Sequence, residues 1–287
     1  MKLIRYICHN GIYIKDENPV ISASNRAFLY GDALFETIHA NGTAVQFLNL
    51  HLERLKKGMQ LLRMNTPGYF ANEYFAEHIR GVLTRNKFFK GARVRITVYR
   101  NSTGLYTPDQ NDVQYIIESA KLDSDVYTLN QAGYTVDLYT GLYKPVNALS
   151  QVKTTNALLF VLAGIYKKEN NLEDCIVLNE NKRVCESVGS NIFIVKGDKL
   201  YTPALSEGCL PGVMRSVMCG IIKSEGFDLY DDRLTAADLL AADEMFLTNA
   251  ISGIRWVVAF RQRRYYNKMS KLLLNKLNRL AFGGQFI

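Results

Sequence analysis

Apolar residues recur every three or four positions across "LNLHLERLKKGMQLLRM", where Leu52, Leu55, Met59 and Leu62 share one face and predict a helix from about Leu48. The preceding "AVQF" reads as strand. "NEYFAEHIRGVLTRN" predicts a second amphipathic helix, and "ARVRITVYRN" with "DVQYIIESA" predicts two strands, the first strongly alternating. At the start, "MKLIRYICHNGIYIKDENPV" reads as two short strands turned at Asn10-Gly11, the dipeptide that suits a tight hairpin.

The polar stretch "KLDSDVYTLNQAG", residues 121–133, interrupts this pattern and is the candidate linker between an N-terminal domain, 1–120, and a C-terminal domain, 134–287. Beyond it "YTVDLYTG" predicts a strand. "SQVKTTNALLFVLAGIYKKENN" predicts a helix with Leu158, Leu159, Val161, Leu162 and Ile165 at helical spacing, preceded by the polar quartet Lys153 to Asn156. "DCIVLNE", "RVCES" and "NIFIVKGDKLYTP" are strand-like. "LPGVMRSVMCGIIKSEG" is a helix opened by Pro-Gly and stopped by Gly226. "DEMFLTNAISGIRWVVAF" reads as a buried strand leading into an exposed hairpin. The sum is an α+β chain with a β-rich second half.

A length of 287 residues accommodates two domains, and 48% hydrophobic with 22% charged residues is a globular balance. No apolar run approaches the roughly 18 to 20 residues that cross a bilayer, and the start lacks the apolar core and cleavage site of an export signal. Five scattered cysteines without a CxxC pair read as reduced thiols in a cytoplasmic protein, and the four histidines lack metal-ligand spacing. The net charge of +8 equals the eight basic residues that follow Glu244, the last acid of the chain. Most of them fall on "YYNKMSKLLLNKLNRLAF", where Met269, Leu272, Leu273, Lys276, Leu277 and Leu280 follow a helical period. This is either a packed terminal helix with a wet basic face or a surface for RNA or lipid.

Four places have the residue types of a reactive site. Lys153 stands before a predicted helix N-terminus, whose positive potential weakens an ammonium's hold on its proton and suits a Schiff-base lysine; the plainer alternative is a solvated lysine outside a cap. Glu186 in "RVCESVGSNIF" falls on a buried strand and needs a cationic partner, for which a protonated ring nitrogen would serve; Cys185 beside it reads as a packed thiol. In "CLPGVMR" the N–H groups of Gly212, Val213 and Met214 form an anion cup at a helix start. Arg54, on the early helix, can give two donors to the same anion.

Taken in order, these segments resemble the class IV aminotransferase family, the pyridoxal-phosphate enzymes of fold type IV. The resemblance starts at "NRAFLYGDALFETI", through Arg26, Tyr30, Gly31, Asp32, Phe35 and Glu36. It continues through "HLERL", Lys153 and Asn156, "ESVGSNIF" and "LPGVMR", and it ends in "DEMFLTNAISGI". It implies two domains, a smaller α/β N-terminal one and a larger β-rich C-terminal one, with the active site between them, in a homodimer. It further implies pyridoxal 5'-phosphate tethered to Lys153, its ring nitrogen opposed by Glu186. Its phosphate would be held by Arg54, Val213 and Met214, with Asn249 and Ala250 in a second phosphate-side loop.

The family contains branched-chain aminotransferases, D-amino-acid aminotransferases and aminodeoxychorismate lyases, so the resemblance leaves the reaction open. The Arg and His with which the D-amino-acid enzymes trap a carboxylate correspond here to Leu105 and Thr107. Arg95 matches the strand arginine of the branched-chain enzymes, but Arg93 replaces their aromatic residue. Arg95 also fits the lyases, as do Asn249 and Ala250, although Leu105 stands where a second basic residue is expected. The expectation is therefore a lyase converting 4-amino-4-deoxychorismate to 4-aminobenzoate and pyruvate, with an amino-acid transaminase as the alternative. Phe35, Arg93, Arg95 and Asn249 would contact the small amino substrate. Arg93 and Arg95 share one strand face, which in the plainer reading simply faces solvent. A non-enzymatic alternative, nucleic-acid binding through the basic tail, predicts salt-sensitive affinity for RNA or DNA.

Overall fold

Asn10 and Gly11 both take positive φ, 50° and 85°, and join β1 (Tyr6–His9) to β2 (Ile12–Lys15) in antiparallel register. The structure, a computed structural model, describes residues 5–283. Its chain divides into two units. One holds the chain up to Val126 together with Lys153–Asn156; the other holds Tyr127–Val152 and the chain from Ala157 onward. The polar stretch 121–133 is thus shared, 121–126 with the first unit and the rest with the second.

In the first unit α1 (Arg26–Tyr30) is capped by the Asn25 side chain and stopped at Gly31, φ 64°. There follow β3 (Ala33–Asn41), β4 (Ala44–Val45), α2 (Leu48–Leu61), α3 (Asn72–Arg85), β5 (Gly91–Arg100) and β6 (Val113–Lys121). The strands form one antiparallel sheet in the order β2-β1-β6-β5-β3-β4. On β5 the alternation is physical: Ala92, Val94, Ile96 and Val98 are fully buried, while Arg93, Arg95 and Thr97 are half-buried. Leu52, Leu55 and Met59 of α2 and Phe75, Ile79 and Val82 of α3 are buried as these helices pack on the sheet. Each such side chain contributes roughly 1.5–3 kcal/mol by leaving water.

In the second unit the elements are β7 (Tyr134–Lys144), α4 (Leu158–Glu169), β8 (Asp174–Asn179), β9 (Val184–Ser187), β10 (Asn191–Lys196), β11 (Lys199–Pro203) and α5 (Val213–Ser224). They continue with β12 (Leu229–Asp232), α6 (Ala236–Ala241), β13 (Glu244–Asn249), β14 (Gly253–Phe260), β15 (Arg263–Arg264) and α7 (Lys268–Phe282). Their mixed sheet runs β12-β11-β10-β13-β14-β7-β8-β9, with β15 beside β14. Val136, Ile176, Val184, Ile192, Ile194, Leu247 and Val257 build its core.

Three expectations from the pattern are corrected here. The hairpin of β13 and β14 is not exposed: β14 lies inside the sheet between β13 and β7, and Ile254, Val257 and Phe260 are fully buried. α4 turns the opposite face inward. Ala163 is buried, with Leu159, Phe160 and Tyr166 packed around Tyr139, Cys175 and Val177, whereas Leu158, Val161, Leu162 and Ile165 are exposed. The helix is apolar on both sides, so two stripes compete and the bulkier aromatic one takes the core. α7 packs with Leu273, Leu274 and Leu277 buried, but Leu272 and Leu280 are exposed.

Several basic residues after Glu244 serve the fold. Lys276 pairs with Glu225, Arg261 with Asp137 and Arg263 with Asp243. No helix among the described residues is long and apolar enough to cross a membrane.

Candidate active site

Lys153 does not stand at the mouth of α4, which begins five residues later at Leu158 behind Ala157. The segment Lys153–Asn156 is extended instead and docks on the start of β3. Phe35 N–H donates to Lys153 O and Thr155 N–H to Ala33 O, both at 3.0 Å, and Leu34 bridges Thr154. Thr155 Oγ1 donates to Gly31 O at 3.0 Å and Asn156 Nδ2 to the same oxygen at 3.2 Å. Asn156 lies so close that a Cβ on Gly31 would meet its Oδ1 at 2.6 Å, and Gly31 also needs its positive φ. The helix-terminus argument for Lys153 therefore fails by distance. Its surroundings are aromatic and cationic: Lys153 Nζ lies 4.2 Å from the centre of the Phe35 ring, and Arg95 Cζ lies 3.9 Å from the same centre.

The register of β3 with β5 places Phe35 opposite Thr97, Thr37 opposite Arg95 and His39 opposite Arg93. Phe35, Arg93 and Arg95 thus share one sheet face with Lys153 beside it. Arg95 Nε donates to Thr97 Oγ1 at 3.1 Å. Burial lowers the Arg95 pKa from its ordinary value, Glu118 opposes the change and Arg93 adds to it, so two like charges are held together on this face.

Arg54 is paired with an acid: its Nε and Nη2 donate to Glu36 at 2.8 and 2.6 Å. His51 Nδ1 donates to Glu36 Oε2 at 2.6 Å. Glu36 and His51 are both 1% exposed. Burial alone would raise the Glu36 pKa, but the charge and hydrogen bonds of Arg54, then His51, pull it down to about 2. Burial lowers the His51 pKa against the pull of Glu36, and its Nε2 has no hydrogen-bond partner among the described residues. The "FE" of the resembling segment marks Glu36, yet nothing in the sequence links it to Arg54.

At the end of β3's approach, Asp32 accepts from Arg26 Nε at 2.9 Å and Arg100 Nε at 2.8 Å. Buried Arg26 also donates to the carbonyls of Gly104 and Leu105. These bonds hold a loop whose Leu105 and Tyr106 side chains are 77% and 89% exposed.

In the second unit Glu186, 5% exposed, already has a cation. Lys144 Nζ donates to its Oε1, and Leu210 N–H donates to its Oε2 at 3.0 Å. Leu210 O accepts from Asn191 Nδ2 at 2.8 Å, and a Cβ on Gly212 would lie 1.9 Å from Asn191 Oδ1. A side chain there would have to displace the Asn191 amide, and glycine leaves the start of α5 without a capping side chain. The N–H groups of Val213 and Met214 thus have neither an intrahelical acceptor nor a cap, while both side chains are buried. Asn249 turns its own loop: Oδ1 accepts from Ile251 N–H and Ser252 N–H at 3.0 and 2.7 Å, and Nδ2 donates to Ser190 Oγ at 2.9 Å. Its side chain thus ties the 249–252 loop together and fastens it to Ser190. Tyr127 OH donates to Ala250 O at 3.2 Å and steadies the same loop.

Asn191 faces Thr248 across β10 and β13, so Glu186, the start of α5 and the 249–252 loop are neighbours in one unit. Their chemistry suits a phosphorylated pyridine: a buried carboxylate for a protonated ring nitrogen, and uncapped N–H groups for the phosphate.

The profile of the amino-transferase class IV family matches residues 33–260. The chain belongs to the class IV aminotransferase family. It is accordingly a pyridoxal-phosphate-dependent enzyme. A Methanocaldococcus jannaschii protein named provisionally as a branched-chain-amino-acid aminotransferase is 28% identical over 93% of this chain and 92% of its own. The aminodeoxychorismate lyase of Bacillus subtilis is also 28% identical, over 85% and 83%. The branched-chain aminotransferase of Thermoproteus uzoniensis, solved with norvaline, superposes with a TM-score of 0.89 over 99% of this chain and 96% of that one, at 21% identity, and so shares the fold.

Proposed function

We propose that this class IV enzyme is a lyase that converts 4-amino-4-deoxychorismate to 4-aminobenzoate and pyruvate. The observation that carries the reading is the pair Arg93 and Arg95, two half-buried arginines on one strand face, with Arg95 against the Phe35 ring that Lys153 also meets. Positions two apart on a strand are separated by about 7 Å, which suits two carboxylates set across a six-membered ring. A branched-chain amino acid brings one carboxylate and an apolar side chain, so a second arginine facing that side chain costs desolvation when this substrate is bound.

In this reading Lys153 tethers the cofactor and Glu186 opposes its ring nitrogen. Val213 and Met214 N–H groups hold the phosphate, with Ala250 in the adjoining loop, and Arg54 stands by as its charge. The bound cofactor supplies an electron sink for the carbanion formed on the substrate. Lys153 Nζ, once released from the tether, takes the proton from C4 of the substrate. Arg93 and Arg95 hold the two carboxylates while the enolpyruvyl group departs as pyruvate and the ring becomes aromatic. Phe35 supplies an apolar flank that excludes water from this face.

Transamination is the second reading. It is favoured by the Methanocaldococcus relative and by the cation–π contact of Phe35 with one arginine, Arg95, which leaves one carboxylate site beside an aromatic wall. There Lys153 would move the α-proton of an amino acid. Two assays separate the readings. Offered 4-amino-4-deoxychorismate, the lyase releases pyruvate and 4-aminobenzoate in equal amounts. Offered leucine with 2-oxoglutarate, a transaminase forms glutamate, and glutamate alone would end the lyase reading.

The exposed stripe Leu158, Val161, Leu162 and Ile165 on α4 supports a homodimer, because a contiguous apolar patch of this kind is costly to leave in water. The five cysteines, all free thiols, support a cytoplasmic location. The packed α7 and the paired basic residues after Glu244 speak for a structural role of the basic tail.

A further inference from the structure

Among the described residues Lys144 is the only buried lysine, 8% exposed, and it lies where the sheet is irregular. The β7 ladder slips between Tyr139 and Lys144, and Thr140 to Tyr143 are exposed before the chain returns to set Lys144 beside Asn179. The β8–β9 ladder slips again next to Val177, which faces Glu186. These two irregularities aim a lysine on one strand at an acid two strands away. The ammonium donates to Glu186 Oε1 and, at 2.8 Å, to Ser150 O. Ser150 closes the capping box of the single-turn helix Ala148–Gln151, which ends two residues before Lys153. One buried cation therefore joins the carboxylate to the turn from which the reactive lysine is launched.

We propose that Lys144 is a positioning residue for Glu186: it provides the carboxylate's counter-charge when no cofactor ring opposes it, and it fixes the direction in which the carboxylate meets the ring. The inference rests on the reading that Glu186 opposes the cofactor's ring nitrogen. A buried carboxylate without a cation destabilises the fold, whereas one shared by two cations binds each less strongly than one would be bound alone. Lys144 thus stabilises the cofactor-free chain and lessens what the ring nitrogen gains on arrival. A lysine serving only as packing would have the first effect and not the second.

The test is thermal melting of the full chain, stripped of cofactor and again with pyridoxal phosphate in excess, for wild type, Lys144→Met, Lys144→Arg and Lys144→Met/Glu186→Gln. Expected for Lys144→Met is a cofactor-free midpoint lower by on the order of 10 °C, together with a cofactor-induced rise larger than that of wild type. Lys144→Arg keeps the charge and behaves as wild type. The double variant recovers the cofactor-free midpoint, because no orphaned charge is left, and gains less from cofactor than wild type does. A cofactor-induced rise in Lys144→Met equal to or below the wild-type rise overturns the proposal. Should Lys144→Met not fold, recovery in the double variant supports the proposal and its failure to fold overturns it. Wild-type protein unmoved by pyridoxal phosphate overturns the cofactor reading itself, and this inference with it.

Discussion

Replacing Glu36 with glutamine keeps the shape of the side chain and removes its charge. Glu36 is 1% exposed, and its carboxyl titrates at about 2 against an ordinary 4.5 because Arg54 and His51 outweigh the effect of burial. At 1.36 kcal/mol per pH unit, the folded state favours the carboxylate by roughly 3 kcal/mol more than the unfolded chain does. A depressed acid contributes stability that is complete above its unfolded pKa and is lost as the pH falls through the folded one. Glu36→Gln should therefore cost roughly 3 kcal/mol at neutral pH, or about 6–10 °C in melting midpoint for a chain of this length. The deficit should close between about pH 4.5 and pH 2 as the wild type loses the same contribution. Melts followed by circular dichroism across this range measure both effects. A variant that melts with the wild type at neutral pH, or a deficit undiminished in acid, would refute the reasoning that Arg54 and His51 hold Glu36 as a buried carboxylate.

His39 is 1% exposed and burial pushes its pKa down to about 4, with Asp125 opposing. The wild type should lose up to about 3 kcal/mol as the pH falls from roughly 6.5 to 4, and His39→Gln should lose correspondingly less in the same melts. Arg95→Leu should lower kcat/KM about 10- to 100-fold, the worth of a charge-assisted hydrogen bond to carboxylate; steady-state kinetics with the preferred substrate checks this, and an unchanged ratio would remove Arg95 from the substrate site. Leu162→Glu on the exposed face of α4 should leave the fold intact and weaken self-association about 100-fold or more, seen as a monomer in sedimentation; a persisting dimer would place the interface elsewhere.

Local pattern was enough for most elements. The Asn10-Gly11 turn, the α2 and α3 faces and the β5 alternation all follow from period and turn chemistry, because each helix and strand buries one face and leaves the other wetter. α4 was legible as a helix but not in orientation, since Leu158–Ile165 and Leu159–Tyr166 offer rival apolar stripes and only the tertiary neighbours choose. The extended docking of Lys153–Asn156 on β3 was hidden for the same reason: its hydrogen bonds go to residues more than a hundred positions away. Buried ion pairs were the least legible. Nothing near Lys144, Glu36 or Glu186 in the sequence names a partner, and the pairs Arg54–Glu36 and Lys144–Glu186 form only when the fold brings distant segments together.

Reduction of the pyridoxal-phosphate-loaded protein with borohydride, followed by peptide mass spectrometry, locates the residue that carries the cofactor, because reduction turns an imine into a stable secondary amine. The expected result is one added pyridoxyl phosphate group per chain, on the peptide containing Lys153. A label on Lys144 or any other lysine, or no label in protein that has taken up the cofactor, would contradict the assignment.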